Sequence, residues 1–349
     1  MIKFENVLAV ETSCDDTSVS IVRNDGFVRA VISANQDSEH KPFGGIVPEI
    51  ASRNHTLHLL PLIEVCLSKA NMNWSQIDGL VVTSRPGLVG SLLVGLVAVK
   101  TLALAKGLPF LGVNHLEAHL LAPFLRDEGY QPPDDFDYPY IGLAVSGGHT
   151  HLYHVTGLGE YRVLGKTIDD AAGEAFDKFA KMVGLGFPGG VKVDKLSKEG
   201  RRDAFVFPRP LVKEDNFNYS FSGLKTSAQR LIAGWDDHKI KENLHDLCAS
   251  YQEAIVDSLM AKLDRAVVQS GLKRAVLTGG VSANFRLREA AGEWADKMGV
   301  QLVVPPLRYC TDNAAMVGYA GIQRLNRGEV SAQDLGPSAH VYPDDFIDE

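Results

Sequence analysis

VLAVETSCDDTSVSIVRN, residues 7–24, reads as a strand, a tight polar turn and a second strand. Val19 and Ile21 alternate with Ser18 and Ser20, the period-two pattern of a half-buried strand. YIGLAVSGGHTHLYHV, residues 140–155, repeats the plan. There Ile141, Leu143 and Val145 make the apolar strand, Ser146 to His149 the turn, and Thr150 to Val155 the return strand. A third candidate strand follows each hairpin, Phe27 to Ala34 in one case and Tyr161 to Lys166 in the other.

Both hairpins then pass into alternating helices and strands. In the first half the pattern predicts a helix over Ile50 to Ala70, a strand over Gly79 to Thr83 and a helix over Ser91 to Ala105. A strand over Pro109 to Val113 and a helix over His115 to Leu125 follow. In the second half Leu244, Cys248, Tyr251, Ile255, Leu259, Leu263 and Val267 recur at three- or four-residue steps, which makes a long amphipathic helix. Arg274 to Leu277 is a strand, Ser282 a plausible N-cap for the helix after it, Gln301 to Val304 a strand, and Asp312 opens a last helix. The acidic stretch 127–138, DEGYQPPDDFDY, carries two prolines and reads as a linker. The polar tail 329–349 is expected to pack loosely. The expected organisation is therefore an N-terminal lobe 1–126, a linker 127–138 and a C-terminal lobe 139–349. A duplicated unit of this kind predicts an α/β protein of two actin-like (ASKHA, RNase H-like) lobes around a central nucleotide cleft; this step is fold-level analogy.

The bulk numbers suit that reading. The chain has 349 residues, 45% hydrophobic and 22% charged, the make-up of a globular protein with a full core. Its net charge is −8, whereas a free nucleic-acid binder is normally basic. An RNA substrate would have to be gripped by a local patch or with help from partners. Cys14, Cys66, Cys248 and Cys310 form no CxxC pair, which disfavours a zinc ribbon and suits a reducing compartment. The first residues lack a signal-peptide pattern, and the apolar run Leu92 to Ala105 is interrupted by Gly95 and Lys100 and reads as too short to span a bilayer. The expected location is the cytoplasm.

The sharpest chemical signal is His115-Leu-Glu-Ala-His119. Helical residues four apart lie about 40° apart around the axis, so both imidazoles share one face and offer a bidentate metal site. Two ordinary solvent-facing or core histidines are the plain alternative. Glu117 lies about 200° from His115 around the helix and is badly placed to activate a water, so the HExxH peptidase pattern is not met. Asp312, in YCTDN, is the best third ligand; a carboxylate at a helix start is also favoured by the helix dipole alone. Two histidines, one carboxylate and open positions suit iron or zinc acting as a Lewis acid.

Three glycine-rich turns come next: Val145 to Thr150 (VSGGHT), Thr278 to Asn284 (TGGVSAN) and Gly184 to Gly190 (GLGFPGG). Such turns let backbone N–H groups approach ligand oxygens, and Asn284 can hydrogen-bond a base or ribose. Each alone is more simply a turn. Carboxylates flank them: Glu174 and Asp177 on one helical face, and Asp194 after GFPGG; these can take ribose hydroxyls or be ordinary solvated groups. Asp15 and Asp16 can equally be turn formers. Lys192, Lys195, Lys198, Arg201, Arg202 and Arg209 form a basic cluster on which an RNA backbone could lie, although a solvated surface explains it as well. There is no Walker GxxxxGK[ST] and no Gly-x-Ser-x-Gly elbow.

A run of motifs then resembles one family over nearly the whole chain and in the family's order. They are ETSCDDT (11–17), GGIVPEIASRNH (44–55), PGLVGSLLVG (86–95), NHLEAH (114–119), VSGGHT (145–150), DDAAGEAFDK (169–178), GFPGG (186–190), FPRP (207–210), FSGLKT (221–226), GGVSAN (279–284) and CTDNAAM (310–316). The chain resembles the catalytic subunit of the universal tRNA threonylcarbamoyladenosine synthases, the TsaD family, once misnamed a glycoprotease, in its bacterial form. The resemblance implies two actin-like lobes and transfer of a threonylcarbamoyl group from threonylcarbamoyl-AMP to the exocyclic amine of the adenosine beside the tRNA anticodon, with AMP released. It implies His115, His119 and Asp312 as ligands of one divalent metal ion, Fe(2+), with Zn(2+) as the alternative. It implies Ala144, Val145, Ser146, Gly147, Gly148, Asp177, Gly190, Asp194 and Asn284 as the positions that bind the adenylate. It also implies a paralogous dimerisation partner (TsaB-type), a small P-loop ATPase (TsaE-type) and tRNA as partners, and no membrane. Two loop positions depart from the family pattern: Arg85 stands where Gly is usual and Val191 where Pro is usual. The competing readings are a kinase or ATPase of the same superfamily, a non-catalytic scaffold retaining the cleft, and the metallopeptidase already disfavoured by Glu117.

Overall fold

A computed structural model describes residues 3–341. The chain divides into two compact units. The first takes residues 3–135 and 305–341, the second residues 136–304.

In the first unit β1 (Asn6–Glu11), β2 (Thr17–Arg23) and β3 (Val28–Ala34) form an antiparallel meander. A one-turn helix α1 (Asp37–His40) leads to the long helix α2 (Pro48–Lys69), whose Pro48 sits in the first turn, where its missing N–H costs nothing. Then come β4 (Gly79–Arg85), α3 (Val89–Lys106), β5 (Phe110–Asn114) and α4 (His115–Leu121). The sheet order is β3-β2-β1-β4-β5, with β4 and β5 parallel to β1. By length and composition α3 is apolar enough to cross a bilayer. Here Leu96, Val99 and Ala103 bury one side of it in the core that α2 and α3 share with Leu8 and Val10 of β1.

The second unit repeats this plan strand for strand. β6 (Tyr140–Val145), β7 (Thr150–Gly157) and β8 (Glu160–Lys166) form the meander. Helices α5 (Ala172–Met182), α6 (Gly190–Ser197), α7 (Ser222–Ile232), α8 (Asp237–Glu242) and α9 (Leu244–Ser270) follow. β9 (Arg274–Thr278), α10 (Phe285–Met298) and β10 (Gln301–Val303) complete it. Its order, β10-β9-β6-β7-β8, is that of the first sheet, with β6 in the place of β1. The duplicated α/β fold expected from the two hairpins is present.

The expected lobe boundary is corrected at its far end. After Val304 the chain leaves the second unit and returns to the first, through α11 (Leu307–Cys310) and α12 (Ala314–Asn326). The reason lies in the first sheet, which has two apolar faces. Leu8 and Val10 point toward α2 and α3, so Ala9 points the other way, and α12 packs on that side against β1, β2 and β4. Gly318 of α12 lies against Val22 and Ala9, and Gly321 against Val81, with no room for a Cβ at either position.

Two smaller expectations also change. The N-cap of α10 is Asn284, whose Oδ1 accepts from the N–H of Leu287 at 2.9 Å; Ser282 sits in a short 3-10 turn just before it. The described part of the tail is tied down. Ser331 N–H donates to Phe110 O at 2.9 Å, Lys100 Nζ to Leu335 O at 3.0 Å and Ser338 N–H to Ser84 O at 3.0 Å. The rest of the tail, 342–349, lies outside the described residues.

Candidate functional site

β5 runs straight into α4, and Asn114 marks the junction by accepting the N–H of Leu116 at 2.8 Å. All seven residues of α4 are buried, an environment that an exposed charged helix would not tolerate. His115 and His119 share its inner face, ring centroids 4.7 Å apart and planes perpendicular. Asp312, which precedes α12 and belongs to the same unit, meets them there. Its Oδ1 lies 3.3 Å from His115 Nε2 and 3.1 Å from His119 Nε2. One ligand atom from each of the three residues falls within 4.8 Å of the others.

This arrangement fits a divalent cation on its own chemistry. Two imidazole nitrogens and one carboxylate oxygen converge on one point, and Asp312 keeps a quarter of its side chain exposed, which leaves an open side. Burial works against ionising the Asp312 carboxyl. The attraction of His115 and the hydrogen bonds from both imidazoles outweigh it, holding that carboxyl well below the usual range. Burial also pulls both imidazoles toward the neutral form. His115, set between Asp312 and Glu11, nevertheless stays well above its ordinary value, whereas His119 falls below it, weakened by repulsion from His115. Asp15 and Asp16 add negative charge at the β1–β2 turn, and burial together with Asp15 pushes Asp16 up to about 7.

Glu11, the last residue of β1, was not singled out by the sequence. Its Oε1 accepts Ser13 N–H at 2.5 Å, and its Oε2 accepts the Thr83 hydroxyl and lies 3.1 Å from His115 Nδ1. The available hints were a charged residue ending an apolar strand and its place at the head of the ETSCDDT motif. His55 clamps the same turn from α2, its Nδ1 2.8 Å from Thr17 Oγ1 and its Nε2 2.9 Å from the Cys14 carbonyl. Glu117 lies away from the histidine face, as its place on the helix predicts. It is buried and takes two hydrogen bonds from Arg324 Nε, at 2.8 and 3.0 Å. It is a structural partner, and no water-activating carboxylate follows from the HxExH spacing.

The remaining predicted positions all lie in the second unit, and several of their loops adjoin. β6 ends in Ala144 and Val145, and the turn Ser146, Gly147, Gly148 is closed by Ser146 N–H donating to His149 O at 2.7 Å. Gly173, at the start of α5, packs against that turn: a Cβ there would sit 2.6 Å from Ser146 O. Gly279 packs on it from β9, at φ +87, where a Cβ would sit 2.4 Å from Val145 O. Only glycine fits either place. Asp177 Oδ1 accepts the N–H groups of Gly189 and Gly190 at 2.7 and 3.3 Å, so it shapes the GFPGG loop. Asp194 Oδ1 accepts Phe285 N–H at 3.1 Å. Asn284 is held by its cap and by Gln252, whose Oε1 accepts from Nδ2 at 2.6 Å; Gln252 in turn donates to Ser197 Oγ at 2.7 Å. Gln252 is a polar residue on the buried side of α9, a position that pattern reading assigns to core.

The basic cluster is largely paired within the unit. Arg201 bonds Asp246, Arg202 bonds Glu289 and Arg209 bonds Asp257, while Lys192 donates to Leu185 O. Lys198 Nζ sits 4.8 Å from the Phe285 ring centre. The solvated-surface reading fits these residues better than a strip of free cations.

Residues 27–319 match the family model described as TsaD: tRNA N6-adenosine threonylcarbamoyltransferase. The chain belongs to this family. A tRNA N6-adenosine threonylcarbamoyltransferase of Bdellovibrio bacteriovorus is 64% identical over 98% of the chain and 99% of its own length. That of Anaeromyxobacter dehalogenans is 49% identical over 94% of the chain and 97% of its own. Among solved structures, HypF of T. kodakarensis aligns with 96% of the chain and 50% of its own at TM-score 0.61 and 14% identity. Component A of the (R)-2-hydroxyglutaryl-CoA dehydratase of Acidaminococcus fermentans aligns with 92% of the chain and 98% of its own at TM-score 0.53 and 15% identity. At such identities these two speak for the fold alone, and they agree with the duplicated α/β fold seen in the two sheets.

Proposed function

We propose that this chain transfers the threonylcarbamoyl group from threonylcarbamoyl-AMP to the exocyclic amine of the adenosine beside the tRNA anticodon. The observation that carries this reading is family membership along almost the full chain. In the reaction the adenosine N6 forms a bond to the carbamate carbonyl carbon. The bond from that carbon to the phosphate oxygen breaks, AMP leaves with the electron pair, and the amine proton is lost to solvent.

His115, His119 and Asp312 would hold one divalent ion, Fe(2+), with Zn(2+) as the alternative. Bound there, it would supply Lewis acidity toward donor oxygens. The other side chains bind and orient. The turn Ala144 to Gly148 and Gly190 would offer backbone N–H groups to the phosphate, with Asp194 and Asn284 directed at the ribose and base and Asp177 fixing the loop that carries Gly190. An exocyclic amine is a poor nucleophile, so the rate would come from positioning and from stabilising negative charge at the reacting carbonyl. No general base is assigned.

The partners belong to the same proposal. An acidic chain whose basic cluster is internally paired suits shared handling of tRNA. Leu60 of α2 and Leu93 and Val97 of α3, exposed, line an apolar groove between the two helices. A helical face of this kind suits the paralogous TsaB-type subunit. The TsaE-type ATPase and a cytoplasmic location complete the proposal, the latter supported by four free cysteines.

The test is reconstitution. The protein, its expected partners, labelled threonine, bicarbonate, ATP and tRNA are incubated, the tRNA is digested and the nucleosides are separated. Label in threonylcarbamoyladenosine is expected. Steady ATP turnover with no label in tRNA would point instead to a kinase or ATPase.

A further inference from the structure

We infer that Glu11 is the positioning residue of the His/His/Asp cluster: its carboxylate fixes the Nδ1–H tautomer of His115 and so presents Nε2 as the ligand. This rests on the proposed role of the cluster as a cation site. Three neighbouring parallel strands supply the parts. Glu11 ends β1, Thr83 lies near the end of β4 between them, and His115 follows β5.

The proton assignment follows from the other bonds that Glu11 makes. Its two oxygens already accept the Ser13 N–H and the Thr83 hydroxyl, so the group is an acceptor on both sides. The contact between Oε2 and His115 Nδ1, 3.1 Å, then needs its proton on the imidazole. With Nδ1 keeping its proton for Glu11, Nε2, which faces Asp312 at 3.3 Å, is the nitrogen whose proton a cation would displace on binding. A carboxylate behind a ligating imidazole also raises its basicity and holds the plane of the ring.

His119 has no such support. Its Nδ1 is buried without a hydrogen-bond partner among the described residues. Ring orientation in this cluster is therefore set at His115, from a strand end that contributes no ligand itself. Ser13 Oγ, 3.3 Å from the same Nδ1, is the competing partner, longer and a weaker acceptor for the proton than a carboxylate. Glu11 is itself fully enclosed and anchored by the β1–β2 turn and by β4, so it can transmit the rigidity of the sheet to the imidazole.

The experiment measures cobalt(II) affinity by chelator competition, near neutral pH, for the wild type, Glu11→Gln and Ser13→Ala. Glu11→Gln is expected to weaken binding roughly 10- to 100-fold, the range for outer partners of metal-bound histidines, while Ser13→Ala stays within about threefold. Unchanged affinity in a folded Glu11→Gln protein would overturn the inference, as would a loss confined to Ser13→Ala. Should Glu11→Gln not fold, nitrogen-15 spectra of the histidines in the zinc-loaded wild type decide: Nδ1–H with zinc on Nε2 is expected for His115, and the opposite tautomer overturns it. A wild type that takes up neither metal removes the inference together with the cation site. If Glu11→Gln loses metal yet tRNA is still modified, the inference stands and the metal drops out of the proposed reaction.

Discussion

His119 Nε2 lies 3.1 Å from Asp312 Oδ1, across 193 residues of intervening chain. The contact closes only because α12 returns to the first sheet and carries Asp312 on its leading end. Replacing Asp312 by Ala, or His119 by Ala, should weaken zinc binding beyond the roughly 100-fold seen for outer partners, since a ligand is lost outright. Chelator competition measures it. Retained affinity in Asp312→Ala would mean that the carboxylate is no ligand.

Glu117 and Arg324 form a buried ion pair within the first unit. Removing Glu117 takes the buried partner from Arg324, which keeps Glu329, so Glu117→Ala should cost about 2 kcal/mol in urea unfolding. Zinc affinity of the folded variant should stay near that of the wild type, because Glu117 faces away from the histidines. A large loss of metal at unchanged stability would reverse that assignment.

Asp177 acts through the loop it bonds. Asp177→Ala frees the N–H groups of Gly189 and Gly190 and should weaken AMP binding about tenfold, the worth of one charged hydrogen bond. Metal content should not change. Calorimetric titration with AMP reads this directly, and equal affinity would remove Asp177 from the donor site.

His151 on β7 makes the second unit sensitive to acid. Burial, with repulsion from His149 and Lys166, pushes its imidazole from 6.5 down to about 3. The unfolded chain therefore takes up a proton that the folded chain refuses between those two values. Stability from this group is whole above about pH 6.5 and is lost as pH falls toward 3. His151→Phe should lose about 3 kcal/mol less than the wild type between pH 7 and pH 4, by urea titration of metal-free protein. Equal losses would show that the imidazole is not held neutral.

Leu60 and Val97 lie exposed on neighbouring helices. The double variant Leu60→Glu, Val97→Glu should fold normally and lose co-purification with the TsaB-type subunit, since two charges would have to be desolvated in the contact. Undiminished co-purification would place the partner elsewhere.

Much of this was legible in the residue order. The two meanders could be read because a half-buried strand alternates and a polar turn interrupts it, as in Ser18–Ile21 and Ser146–His149. The histidine pair could be read because four-residue spacing on a helix is a local geometric fact. The motif run indicated the family, and it agreed with Asp312 as the proposed third ligand.

The end of the second unit could not be read in that way, and neither could Glu11, Gln252 or the pairing of the basic cluster. Local spacing states which residues share a face, but not which distant face covers it. β1 reads NVLAVE with apolar residues on both sides, a sign that two layers must cover it; which helix forms the second layer is settled by the packing of Gly318 and Gly321 against Val22, Ala9 and Val81. The sequence by itself determined the repeated strands, the paired imidazoles and the glycine turns, all products of short-range periodicity and backbone sterics. Only the tertiary structure decided that Asp312 belongs to the first unit and that Glu11 stands behind His115, because burying a two-faced sheet and satisfying an enclosed carboxylate are long-range demands.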